Sequence, residues 1–176
     1  LRAVRNVPEA YEVYHESQTV ELFDKLGVLA PNEVEARFGI LNETYVKKLQ
    51  IEARVMGDMC LNHVIPAAVK YQNILIENVK GMKDIFGEGY HELCSSEIET
   101  LKKISNYINS VSADVDALVN ARKKANVIED IALRAKIYSH EVKGMMDKVR
   151  DSVDNLEMLI DDEMWPLPKY RELLFI

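Results

Sequence analysis

The chain has 176 residues, of which 48% are hydrophobic and 29% charged, with 7 Gly and 5 Pro. That is enough apolar material for one continuous core, and too few turn formers for a many-stranded fold. The net charge of -7 argues against a nucleic-acid partner, since the only dense basic run is Arg122-Lys123-Lys124. No apolar stretch reaches the roughly 18 residues that would suggest a membrane span.

Residues 1–7 carry no clear period. Pro8 is placed to open a short helix, and Thr19 to Leu26 reads as a second, stopped by Gly27. Val28 to Pro31 is a connector. Asn32 is the expected N-cap of a long helix, with Glu33 and Glu35 in its first turn. From Val34 through Phe38, Leu41, Tyr45, Leu49, Ala53, Met56, Cys60, Val64 and Ala67 to Phe86, apolar residues recur at a mean spacing of about 3.7, a helical period. Between Ile51 and Ile76 a second apolar face joins through Ile51, Val55, Met59, Ile65 and Ala68, so contact on two sides is expected. Pro66 frees the carbonyl of Asn62 and predicts a kink there.

Gly87-Glu88-Gly89 breaks the chain. A second helix from Tyr90 to Asn120 follows, with a heptad seam through Leu101, Ile104, Ile108, Val111, Val115 and Leu118. Residues 121–127 read as a connector. A third helix runs from Ile128 to Asp162, ended by Trp165-Pro166-Leu167-Pro168. Tyr170, Leu173, Leu174 and Phe175 suggest one last short helix. The fold class is therefore all-α: an elongated up-down bundle of three long helices with short N-terminal helices and a short C-terminal one. Within one domain, residues 1–31 pack on the long helix of 32–87. Residues 88–163 form a hairpin completing the bundle, and 164–176 form a Trp-Pro tail. The two later helices cover the long one only from about residue 55 onward, at about 1.5 Å per residue. Residues 32–54 then require cover from residues 8–29, from another domain or from another subunit. Leu1, in place of Met, suggests a fragment of a larger chain.

Cys60 and Cys94 are the two cysteines. If residues 87–89 reverse the chain, they lie roughly 30 Å apart along the helix axis. A disulfide needs Cα atoms within about 7 Å. Free thiols, a reducing compartment and hence the cytoplasm are expected, and no signal peptide is visible at the start.

Chemistry-bearing patterns are sparse. Glu12–His15 and Glu88–His91 each have Glu-x-x-His spacing, which in four-helix bundles supports a di-iron site. With 18 Glu and 4 His in the chain such matches also arise by chance, and both lie at segment ends. His63, beside Pro66, would ligate or relay protons, or more simply satisfy a freed backbone carbonyl. Glu52, Arg54 and Asp58 read as charges facing solvent or a partner. No nucleophile elbow, Walker loop or dinucleotide fingerprint exists. No catalytic, cofactor-binding or metal residue is assigned. A di-metal bundle and a free-standing coiled-coil adaptor remain as alternatives.

Two stretches are more specific. One is Val46-Lys47-Lys48-Leu49-Gln50-Ile51-Glu52-Ala53-Arg54-Val55-Met56, continuing to Asn62-His63-Val64-Ile65-Pro66-Ala67-Ala68 and Tyr71-Gln72-Asn73. The other is Leu156-Glu157-Met158 followed by Trp165-Pro166-Leu167-Pro168-Lys169-Tyr170-Arg171-Glu172-Leu173-Leu174-Phe175. Together they resemble the C-terminal helical region of type III glutamine synthetases, over about residues 8–175. The resemblance implies a parent enzyme that condenses glutamate and ammonia to glutamine, using ATP and Mg or Mn. It also implies a dodecamer of two stacked hexameric rings, with active sites on upstream domains between neighbouring subunits. The expected partners are thus the upstream catalytic domain and identical subunits, with no nucleic acid and no membrane. None of the family's nucleotide, metal or glutamate motifs occurs here, so this stretch is expected to be inactive alone and to support subunit packing.

Overall fold

A computed structural model describes residues 3–174, the side chains of Tyr170 and Arg171 excepted. Phe175, expected in the tail helix, lies outside the described residues. The fold is all-α, with no strand among the described residues. In chain order the helices are α1 (Val7–Tyr14), α2 (Ser17–Lys25), α3 (Pro31–Met59), α4 (Ile65–Phe86), α5 (Tyr90–Leu93), α6 (Ser95–Asn126), α7 (Ile131–Ile137), α8 (Lys143–Glu157) and α9 (Tyr170–Leu173). A π turn, Cys60–Val64, joins α3 to α4, and a second, Tyr138–Val142, joins α7 to α8. The chain divides into two compact units. The first takes the chain up to Val55 together with Ala117–Met146, and the second takes Met56–Asp116 and the chain from Asp147 onward.

In the first unit, local capping explains where each helix begins and stops. Asn6 caps α1, its Oδ1 accepting from the Glu9 N–H at 3.0 Å. The Arg5 N–H donates to the Glu9 carboxylate and holds that acid below its ordinary value, with help from the Asn6 side chain. Helix α2 ends on Gly27 at φ +66. The Gly27 N–H donates to Asp24 O and the Val28 N–H to Phe23 O, the paired bonds of a Schellman ending. Helix α3 starts at Pro31, so Asn32 is not its cap. The Glu33 carboxylate instead accepts from the Ala30 N–H at 2.7 Å, and proline suits the first helical position because it has no N–H to satisfy.

Helix α6 runs six residues past Asn120, through the stretch expected as a connector. Two side chains hold the extension. Ala125 is fully buried, and Asn126 Oδ1 accepts from the buried Tyr138 hydroxyl at 2.6 Å. The following turn is pinned by Arg134 Nε, which donates to the Ile128 carbonyl at 2.7 Å. Asp130 then caps α7 by accepting from the Ala132 and Leu133 N–H groups, which moves the helix start from Ile128 to Ile131. Val34, Val46, Leu49 and Ala53 of α3 are buried in this unit, as are Leu118, Ala135, Tyr138 and Val142. Buried Asn42 donates to the Phe38 carbonyl of its own helix at 3.0 Å, so it is not left unsatisfied.

In the second unit, Pro66 sits at the second position of α4, where a missing N–H costs little. The preceding turn widens, and the Ile65 N–H donates to Cys60 O in the i→i−5 pattern of a π turn. Cys60, Val64, Ala67 and Ala68 are buried in this unit, as are Ile104, Val111 and Val115 of α6 and Val149 and Leu156 of α8. A Cβ at Gly57 would meet Val115 Cγ1 at 3.6 Å, so the two helices are in ordinary contact there. Cys60 and Cys94 are both buried and free, and burial pushes the Cys60 thiol up to about 11. Gln72 Nε2 donates to Ser105 Oγ at 2.7 Å, tying α4 to α6.

Helix α8 stops at Glu157, five residues before the expected end at Asp162. Its last carbonyls are met from the tail. Lys169 Nζ donates to Glu157 O at 3.0 Å and to Ile160 O at 3.3 Å, and it pairs with the Asp162 carboxylate. A cation at a helix C-terminus is the favourable arrangement for the dipole. Trp165 is buried beside Ile160 in sequence, and its indole N–H finds no acceptor among the described residues.

Candidate assembly surface

The residues singled out for chemistry are each placed by their own unit. Glu12 and His15 belong to the first. Glu12 ion-pairs with Lys136, while His15 pairs with Glu35 and stacks on Phe38 at 4.8 Å between ring centroids. Glu88 and His91 belong to the second, where His91 lies against Tyr90 with centroids 4.0 Å apart. Among the described residues no three His, Cys, Asp or Glu side chains gather where a metal ion would need them. Of these residues, Glu12, His15 and His91 are engaged in ion pairs or ring contacts.

His63 is exposed on the first π turn. It lines an open groove with Asn62, Pro66, Lys70, Glu163 and Pro166. Among the described residues no hydrogen bond joins it to a freed carbonyl, so the simple role expected for it is not seen. Asn62 instead donates from its side chain to Asp58 at 2.6 Å.

What both units do present is uncovered apolar surface. In the first unit Ile40, Ile51 and Val55 of α3 are 60%, 62% and 50% exposed. Ile40 and Ile51 are eleven residues apart, about three helical turns, and so share one face. That face opens into a groove bounded by Ala36, Gly39, Glu43 and Lys47 of α3 and by Ile131 and Arg134 of α7. In the second unit Leu61, Val69 and Ile74 are exposed, while Met59 and Ile65 are half-buried. Ala68 departs from the expected second face, being fully buried. The wide π turn advances fewer degrees per residue and brings Ala68 to the core one turn after Val64. Leu61 and Val69 lie outside, where helical periodicity also places them. No helix among the described residues is long and apolar enough to cross a membrane.

Residues 1–83 match a family model described as the glutamine synthetase C-terminal domain. Over 99% of its length the chain is 41% identical to a glutamine synthetase of Bacteroides fragilis, covering 24% of that protein. Over residues 1–83 the chain thus matches the glutamine synthetase C-terminal domain, and over nearly its whole length it is similar to glutamine synthetases. It is also 28% identical to a type-3 glutamine synthetase of Dictyostelium discoideum, over 100% of this chain and 24% of that protein. A glutamine synthetase of Butyrivibrio fibrisolvens is 25% identical over 99% of this chain and 25% of its own length. The chain thus spans about a quarter of the length of these relatives. Its Trp-Pro tail, distinctive in sequence, is the segment that carries Trp165 into the core and Lys169 onto the end of α8.

Proposed function

We propose that this chain is the assembly-supporting helical domain of a type III glutamine synthetase. The parent enzyme condenses glutamate and ammonia to glutamine with ATP and Mg or Mn. The domain supplies no catalytic residue. Its partners are the catalytic part of the same polypeptide and neighbouring identical subunits in a dodecamer of two hexameric rings, in the cytoplasm. The observation that carries this reading is the 41% identity across 99% of the chain to a protein about four times its length. The exposed apolar residues of α3 and α4 supply surface for such packing, since apolar patches of this kind on a helical domain mark interaction sites.

Val55 and Met59 test the reading, because neither is fully buried. Val55→Glu and Met59→Glu should leave helicity and urea midpoint of the isolated domain nearly unchanged, within about 0.5 kcal/mol as for surface changes. The same substitutions in the full-length enzyme should shift the assembled form towards smaller species in sedimentation velocity. Unfolding of the isolated domain would make these residues plain core and overturn the assignment. Glutamine formation by the isolated domain above the blank rate would overturn its non-catalytic part.

A further inference from the structure

We propose that α1 and α2 form a clasp that opens as one body from the first turns of α3 while the rest of the first unit stays folded. Four observations carry this. First, at 8 and 9 residues these helices are too short to persist without packing. Second, they pack weakly. Pro8 is the only buried residue of α1, and α2 has none, whereas α3 buries Val34, Val46, Leu49 and Ala53. Third, polar contacts provide much of the attachment. Glu12 pairs with Lys136, His15 pairs with Glu35, and Asn6 Nδ2 stands 3.5 Å from His140 Nε2. The His15 and Glu35 side chains are 45% and 68% exposed, and exposed pairs of this kind hold weakly and are screened by salt. Fourth, the two helices are tied to each other and hinged at one end. The Tyr14 and Phe23 rings meet at 5.4 Å, and the chain leaves α2 through Gly27 at φ +66.

Beneath the clasp lies an apolar stripe at helical spacing. Val34 is fully buried, and Phe38 and Leu41 are half-buried, at positions i, i+4 and i+7 of α3. His15 of the clasp stacks directly on Phe38. Opening therefore exposes a stripe that the closed form hides, at the free-energy scale of local rather than global unfolding.

The test uses thiol labelling in the full chain carrying Val34→Cys. The native Cys60 and Cys94, both buried, report global unfolding in the same molecule. Cys at position 34 should react at least about tenfold faster than Cys60 and Cys94, and faster still at high salt. Lys136→Ala should raise its rate and leave the two native thiols unchanged. Equal rates at all three positions would overturn the clasp. Hydrogen exchange of the unmodified chain gives a second reading. Amides of 7–25 should exchange together and ahead of those of 46–55. Joint exchange of both segments, or independent exchange of α1 and α2, would overturn it.

Discussion

Lys169 shows how much one side chain does in this fold. Its side chain is only 13% exposed, and its ammonium meets the Glu157 carbonyl at the end of α8, the Ile160 carbonyl beyond it and the Asp162 carboxylate. Removing it would leave those carbonyls without a charged donor, and hydrogen bonds to charged groups contribute about 1.5–3 kcal/mol. Lys169→Met should therefore lower unfolding stability by about that much in urea titration, with Lys169→Arg losing less because it keeps charge and donors. A loss no larger than for a surface lysine would show that water replaces the amine without cost. Trp165 is the opposite case. Its ring fills core space, yet its N–H is unmatched among the described residues, and such an orphan costs roughly 1–3 kcal/mol.

At the scale of elements, helices here are set by caps and interruptions more than by propensity. Gly81 lies inside α4, and a Cβ there would meet nothing within 4 Å. Gly81→Ala should raise stability by about 0.5–1 kcal/mol, read as a higher thermal midpoint. A drop would mean that the position is covered. Elements marked by local chemistry were legible in the sequence. Gly27 ended α2, the heptad seam placed Val111, Val115 and Leu118 in the core, and Pro66 marked an irregular turn. Elements decided by distant partners were not. The last turns of α6 depend on Tyr138 reaching Asn126, and the end of α8 depends on Lys169. The second π turn has no proline to announce it, and the step from Tyr138 to Val142 looks like ordinary helix. The candidate surface was legible at Ile51 and Val55, which are apolar in excess of one core face. It was illegible at Ala68, expected on that second face but brought into the core after the π turn.

For the whole molecule, the division into units follows contacts rather than helices. Helices α3, α6 and α8 each contribute residues to both units. Helix formation is cooperative along a continuous segment, so the units should not melt separately. Leu118 and Leu156 are fully buried, one in each unit. Leu118→Ala and Leu156→Ala should each cost about 2–5 kcal/mol and each shift one shared urea transition. Two resolved transitions, each moved by only one substitution, would show that the units unfold independently. The weakly packed α1 and α2 are the expected exception, since opening them breaks no long helix.

The π turns also bear on how such a chain tolerates changes in its own length. Losing one residue from the middle of α6 would swing every later side chain by about 100° and turn the seam away from its partners. A π turn carries one residue more than an α-helix needs over the same span, so losing one there closes ordinary i→i−4 bonds and leaves both flanks in phase. Between Cys60 and Val64 this is blocked, because tightening the turn would set Pro66 against the carbonyl four residues back. Between Tyr138 and Val142 nothing blocks it, and Ser139, His140 and Glu141 are outside the core. That turn is a register-neutral position, where the helix can shed a residue while Ala135 and Met146 keep their places.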